Sequence, residues 1–420
     1  MAYLRRLIDD ELDELLPSLP AIALDGAKGV GKTETAERRA GGLFKLDSRA
    51  RRAVADADPE AVLRAARPTL IDEWQLVPTV WDVVRRQVDA DSTPGQFLLT
   101  GSATPRVEAT AHSGAGRIVR LRMRPMGLSE RGIGTTSVSL QELLSGQRPA
   151  LEGAASFGLT DYVHEILASG YPGIRTYSGR ALRAQLDSYV RGIVDRDIAE
   201  NGVSVRKPEV LLQWMRAYAA ATATTASYNS LLDAATPGET DKPARATVTA
   251  YRDALAQLWI LDPVPGWLPR NPLGRLQQAP KHHLADPALA GRLLGVSADA
   301  LLSGEGPTVT DGPLLGALFE SLATLTVRVL AQRNEASVSH FRTRNGDHEV
   351  DLIIERADQR VVAAEVKLTG APTDRDARHL LWLRERLGPD LLDAIIITSG
   401  RDAYRRPDGI GVVPLALLGA

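Results

Sequence analysis

The spacing of apolar residues along this chain changes several times, and each change predicts an element. Leu4, Leu7, Ile8, Leu12, Leu15 and Leu16 recur at helical spacing, which predicts an amphipathic helix over 3–17 packed on the domain core. Ala21 to Leu24 is a short apolar run that reads as a buried strand, and Thr33 to Ala40 has helical composition. Further buried strands are expected at 68–75, 96–100 and 116–121. Residues 131–158 are rich in small residues and read as a connection around one short helix, Ser139 to Leu144. From about 160 to 300 the periodicity is mainly helical. Within it, Arg191 and Arg196 alternate with acids, the pattern of a solvated charged face. A helix at 227–235, a Pro/Gly turn, a helix at 244–258 and the turn Pro263-Val-Pro-Gly266 come in the order of a winged helix-turn-helix. If that unit binds DNA, the second helix would turn Arg245, Thr247, Thr249 and Arg252 to the duplex. A last unit begins after the loop 303–313. It has helices at 314–332 and 377–387 and strands at 337–341, 349–355, 361–368, 394–398 and 411–418, an αβ sandwich.

Length and charge narrow this picture. A chain of 420 residues has a prior of about three domains. The pattern divides it at 1–130, 131–158 (a linker), 159–300 and 301–420. The net charge of -2 excludes a globally basic nucleic-acid binder, so any grip on DNA must come from a local patch. With no cysteine, disulfides, thiolate metal sites and cysteine nucleophiles are excluded. The first ten residues carry acids and no long apolar core, unlike a signal peptide. No uninterrupted apolar stretch reads as a bilayer span, so a cytoplasmic protein without a membrane partner is expected. The adjacent His282 and His283 point in different directions and read as core or surface histidines.

The most specific chemistry lies at Leu24 to Thr33, which fits G-x-x-x-x-G-K-[ST] at Gly26, Gly31, Lys32 and Thr33. Glycines let such a loop curl so that successive backbone N–H groups, here through Lys28, Gly29 and Val30, face a phosphate at a helix N-terminus. Lys32 would reach the outer phosphates and Thr33 would sit on Mg²⁺, with ATP as the nucleotide. Asp72 and Glu73 end the next of the long apolar strands. Asp72 would hold the metal and Glu73 would activate the attacking water. Ser102, with Thr100 second, is suited to contact the γ-phosphate, and Arg117 to supply transition-state charge from its own or a neighbouring subunit.

A second constellation lies near the other end. Glu365 and Lys367 are two apart on one strand and so share a face, and hairpin pairing can bring Asp351 to it. With the Val366 carbonyl, and Glu320 as an added ligand, this gives an oxygen-rich site for Mg²⁺ or Mn²⁺. Lys367 would orient the attacking water or neutralise developing charge. Glu365 and Lys367 stand in an otherwise apolar strand, where unpaired charge is costly.

Gly29-Val-Gly-Lys-Thr33, Ile71-Asp-Glu-Trp-Gln75, Leu98-Leu-Thr-Gly-Ser102 and Gly116-Arg117 resemble the AAA+-type module of a prokaryotic ATPase family. Members of that family carry a C-terminal domain of unknown function. The segments 168–173, 189–197 and 316–320 extend the resemblance over nearly the whole chain. It implies an α/β multidomain protein with an αβα P-loop core, and it leaves a homo-oligomer open. Asp351, Glu365 and Lys367 stand at positions similar to those of the PD-(D/E)XK nuclease superfamily, although Val350 replaces the proline before the aspartate. The two resemblances together imply an ATPase acting on DNA, with a C-terminal domain that cuts or grips it. A second reading, of another class, is an ATP-gated switch of the defence or toxin–antitoxin type whose nuclease-like domain only binds.

Overall fold

The computed structural model describes residues 3–103, 114–203, 205, 207–236, 245–268, 278–304 and 313–420. The turn 237–244 and the side chain of Arg245 lie outside them, as does most of the loop 303–313.

The apolar runs of the first part become a five-stranded parallel sheet. β1 (Ala21–Asp25), β2 (Gly42–Lys45), β3 (Thr69–Asp72), β4 (Phe97–Gly101) and β5 (Val119–Arg122) lie in the order β2-β3-β4-β1-β5. β1, β3 and β4 are buried on both faces, as continuous rather than alternating apolar runs require of a parallel sheet covered by helices. The order places β1 between β4 and β5 and β3 beside β4. The carboxyl ends of β1, β3 and β4 therefore meet at one edge, where ligands bind open α/β sheets. The helix expected at 3–17 is α1 (Leu7–Leu15), shorter but in place, with Ile8 and Leu12 buried in the main core.

The middle part is helical, through Leu159–Leu167, Gly179–Gly192, Pro208–Ala220, Tyr228–Ala235, Arg245–Gln257 and Pro287–Leu293. The segment read as a wing forms no strand of its own. Leu261 and Val264 make isolated bridges to Leu284 and Lys281, and Gly266 bridges to His340 on the next domain's edge strand. Trp267 N–H donates to the His340 carbonyl at 2.6 Å. Those backbone groups thus join two domains. On the helix read as DNA-facing, Thr249 is exposed and Thr247 half-buried. Arg252 is paired with Asp253 at 2.8 Å, and its guanidinium lies over the Tyr228 ring.

The C-terminal part is a mixed six-stranded sheet. Its order is Tyr404–Arg405, Gly411–Pro414, Leu391–Thr398, Val361–Lys367, Glu349–Glu355 and Ser337–Arg342. Helices Pro313–Arg333 and Asp374–Leu387 pack on it. Pro313–Arg333 corrects one expectation: by length and composition it could cross a membrane. Instead Leu318, Phe319, Leu322 and Leu330 are buried in the protein's own core, which accounts for its apolar composition. The connection at 131–158 is also tied down. Val138–Ser139 pairs in parallel with Leu418–Gly419, beside the helix Leu140–Ser145.

Candidate nucleotide site and a carboxylate–lysine cluster

Gly26 packs against the Met123 backbone so closely that a Cβ there would lie 2.1 Å from the Met123 carbonyl oxygen. Gly31, at φ 106°, turns the chain into the helix Lys32–Glu37 through a conformation that L-residues avoid. The loop is thus a cradle that only these glycines allow. Lys32 is buried inside it and donates to the carbonyls of Gly26 at 2.8 Å and Ala27 at 3.0 Å. Burial pushes its ammonium down to about 8, against the pull of Glu73, Asp25 and Asp72.

Across the edge, the Asp72 carboxylate accepts hydrogen bonds from Thr33 Oγ1 at 2.8 Å and from Thr100 Oγ1. Burial raises its pKa and the two hydroxyls oppose that. Glu73 adopts the left-handed conformation at φ 56°, a strain of about 1 kcal/mol or more, which turns its carboxylate to β4. There Ser102 Oγ donates to Glu73 Oε2 at 2.7 Å, and Gln75 Nε2 donates to both Glu73 and Ser102. Of the residues expected here, Gly26, Lys28, Gly29, Val30, Gly31, Lys32, Thr33, Asp72, Glu73, Thr100 and Ser102 are brought to one edge, and Gln75 is the one the sequence reading missed.

Arg117 is not among them. β5 pairs with β1 from Ile22↔Val119 to Asp25↔Arg122, so Arg122 is level with the loop while Arg117 precedes the strand at the opposite end. There its guanidinium pairs with Asp89 at 2.7 Å. In this structure the strand's own length separates Arg117 from the loop of its own chain.

Two clefts flank the loop. One, of about 270 Å³, is lined by Lys28, Gln75 and Ser102 from the first domain and by Tyr189, Asp197 and Asn201 from the middle one. The other, of about 530 Å³, is lined by Tyr3, Val30 and Thr35 and by Pro172, Arg175 and Thr176. The stretch 189–197 is therefore more than a solvated face. Arg191, Asp195 and Arg196 are exposed as expected. Asp197, however, ends a π-helical turn (Ile193–Asp197) and faces Lys28 at 3.5 Å, and Tyr189 Oη donates to the Lys28 carbonyl at 2.9 Å.

In the C-terminal sheet the strand pairing runs to Leu352↔Ala364, and one step further sets Asp351 beside Glu365. Lys367 Nζ lies 2.5 Å from Glu365 Oε2 and 3.4 Å from Asp351 Oδ2, and Val366 N–H donates to Asp351 Oδ2 at 2.9 Å. Asp351, Glu365 and Lys367 are thus brought together. The expected ligand set is not vacant, however. Lys281, on the bridge to Val264, places its Nζ 2.9 Å from Glu320 Oε1, 2.9 Å from Asp351 Oδ1 and 3.1 Å from Glu349 Oε1. Among the described residues no group of three or more histidines or carboxylates is arranged to hold a metal. That corrects the site expected from Asp351, Glu365 and Glu320: a buried ammonium lies among them. Burial and the neighbouring Asp351 push Glu320 up to about 7. Burial also tends to raise Asp351, but Lys281 and Lys367 hold it well below the usual carboxylate range. His282 and His283 are core residues, His282 Nε2 lying 2.7 Å from the Ala226 carbonyl oxygen.

Residues 18–131 match the family model described as an AAA domain. The first part of the chain is thus similar to an AAA domain, and its parallel sheet with the glycine loop after β1 is the arrangement of a P-loop fold. Residues 159–300 and 315–418 match two domains of unknown function, DUF8612 and DUF4143. Uncharacterized proteins of Mycobacterium bovis and Mycobacterium tuberculosis are each 26% identical over 98% of this chain and 83% of their own length. Among solved structures, the Walker-type ATPase of Pyrococcus abyssi is 14% identical with a TM-score of 0.39, over 68% of this chain and 94% of that one.

Proposed function

We propose that the protein is an ATP hydrolase whose nucleotide state is read by the helical middle domain. The observation that carries the reading is the meeting of Lys32, Thr33, Asp72, Glu73 and Ser102 at one edge of the sheet. The donor set fits a nucleotide with Mg²⁺. Gly26 lets the loop pack directly on the Met123 backbone, where a side chain would clash, and Thr33 and Asp72 already share a hydrogen bond where a hard cation takes oxygen ligands. Bound there, Mg²⁺ would neutralise charge on the phosphates. Thr33 and Asp72 would hold it, Lys32 would exchange the loop carbonyls for the outer phosphates, and Glu73, kept in place by Ser102 and Gln75, would take the proton of the attacking water. The cleft at Tyr3, Val30 and Pro172 lies on the other side of the loop and is of a size to take the base.

Lys28 links hydrolysis to the rest of the chain, because it belongs to the loop yet faces Asp197 of the middle domain. A phosphate competing for Lys28 would loosen that contact. Hydrogen exchange of the Glu73→Gln variant, loaded with ATP and compared with the free protein, tests this. Altered exchange over 189–202 is expected; changes confined to 18–131 would contradict it.

A second reading is favoured by the convergence of Asp351, Glu365 and Lys367: the C-terminal domain acts on DNA, by cutting or by gripping it. Filter binding in EDTA and then in Mg²⁺, scored for retention and for strand breaks, separates these. Metal-dependent breaks support cutting, and retention alone supports gripping. If neither occurs, the domain does not act on DNA.

A further inference from the structure

Lys281 lies seventy positions before Asp351 in the chain, yet it is 1% exposed and its ammonium makes three contacts, all with carboxylates. Two of them, Glu320 and Asp351, are residues that would otherwise share a divalent cation. Mg²⁺ takes its oxygens at about 2.0–2.1 Å. A cation between Glu320 Oε1 and Asp351 Oδ1 would therefore occupy the place of Nζ, 2.9 Å from each. Two like charges cannot share that position. On the other side of Asp351, Lys367 takes the second oxygen and Glu365 Oε2. Glu365 is 2% exposed, and its Oε1 has no hydrogen-bond partner. One buried acceptor beside the Lys367 ammonium thus remains without a partner.

We propose that the Lys281 ammonium takes the place of the divalent cation between Glu320 and Asp351, so that the site is closed to metal while Lys281 is seated. The proposal rests on the reading of this cluster as nuclease-like, and it assigns the domain in this state to gripping rather than cutting. The Lys281 backbone is itself held in place. It exchanges both hydrogen bonds with Val264, N–H to carbonyl at 2.9 Å each way, and the neighbouring His282 N–H donates to the Thr224 carbonyl at 2.8 Å.

The test is Mn²⁺ binding to nucleotide-free full-length protein, measured by electron paramagnetic resonance. Wild type, Asp351→Asn, Lys281→Met and the Lys281→Met/Asp351→Asn double variant are compared. Wild type and Asp351→Asn are expected to bind Mn²⁺ alike, since Asp351 is not available to it. Lys281→Met should gain about one site, lost again in the double variant. A wild-type site that disappears in Asp351→Asn would overturn the proposal while leaving the cluster a metal site. A folded Lys281→Met that gains nothing would overturn the nuclease-like reading, and the proposal with it. Should Lys281→Met not fold, the wild-type and Asp351→Asn pair still decides.

Discussion

Asp72 accepts the Thr33 hydroxyl at 2.8 Å, a hydrogen bond that ties the first turn of the helix after the glycine loop to the end of the third strand. Two segments 39 residues apart are held at the distance at which one cation can join them. The same carboxylate also accepts Thr100 from β4, so two adjacent strands and the helix after the loop converge on one group.

Lys32 sets a pH dependence on nucleotide binding. Burial holds its pKa at about 8 in the free protein, and phosphate oxygens favour the charged form, so binding raises it. Affinity is then level below pH 8 and falls roughly tenfold per unit above it, until the raised pKa is reached. Isothermal titration with ATP from about neutral pH to well above the lysine's pKa should show this weakening, and Lys32→Arg should flatten it. An affinity that rises with pH would be inconsistent with the burial of Lys32.

Asp197 puts a negative charge beside the loop, opposite Lys28. Lys28 is 58% exposed, so the pair contributes under about 1 kcal/mol to stability. Asp197→Asn should leave the melting temperature nearly unchanged and tighten ATP binding about threefold, as relief of one repulsion in high dielectric would. Weaker binding in this variant would mean that Asp197 supports the loop rather than competing with phosphate.

Arg117 precedes β5 at the end away from the loop and is paired with Asp89, so a part in hydrolysis would have to be played in a neighbouring subunit. Arg117→Ala should then leave ATP affinity intact and remove only the part of hydrolysis that depends on protein concentration. Mixing it with Lys32→Ala, which keeps the arginine, should restore activity. Loss that is independent of dilution, without rescue by mixing, would contradict action between subunits.

Asp262 joins all three domains. It lies 2.9 Å from each of Arg122 and Arg124 of the first domain and Arg328 of the helix Pro313–Arg333. Burial tends to raise its pKa, but the three guanidinium groups hold it far below the usual range. Its contribution is therefore present above the unfolded value of about 3.9 and is lost as pH falls below it. Asp262→Asn should cost about 3–5 kcal/mol at neutral pH, since it leaves buried arginines unpaired. It should also reduce the fall in stability as pH drops through the ordinary carboxylate range, measured by urea unfolding.

The sequence discloses features that are contiguous or periodic. The phosphate loop is one unbroken run from Gly26 to Thr33, and Glu365 and Lys367 share a face because a strand alternates. Hairpin pairing with so short a turn leaves Asp351 few places to go. Lys281 and Asp197 carry no such signal. Each acts on a partner 70 or more positions away, and each sits in a local pattern with a plainer meaning, an apolar segment near two histidines and a charged helix face. Arg117 is the converse. Its Gly-Arg dipeptide resembles a motif, but the sheet register sends it to the far end. Among the described residues the segment expected as a wing pairs through isolated bridges, Val264 to Lys281 and Gly266 to His340, contacts that spacing does not encode.

Phosphate release from ATP by the purified protein, beside Lys32→Ala and Glu73→Gln, tests the central claim most directly. Wild type should hydrolyse ATP in Mg²⁺. Lys32→Ala should neither bind nor hydrolyse it, and Glu73→Gln should bind it with hydrolysis reduced by about 10²–10⁴. Normal hydrolysis by Lys32→Ala would show that the glycine loop is not the site.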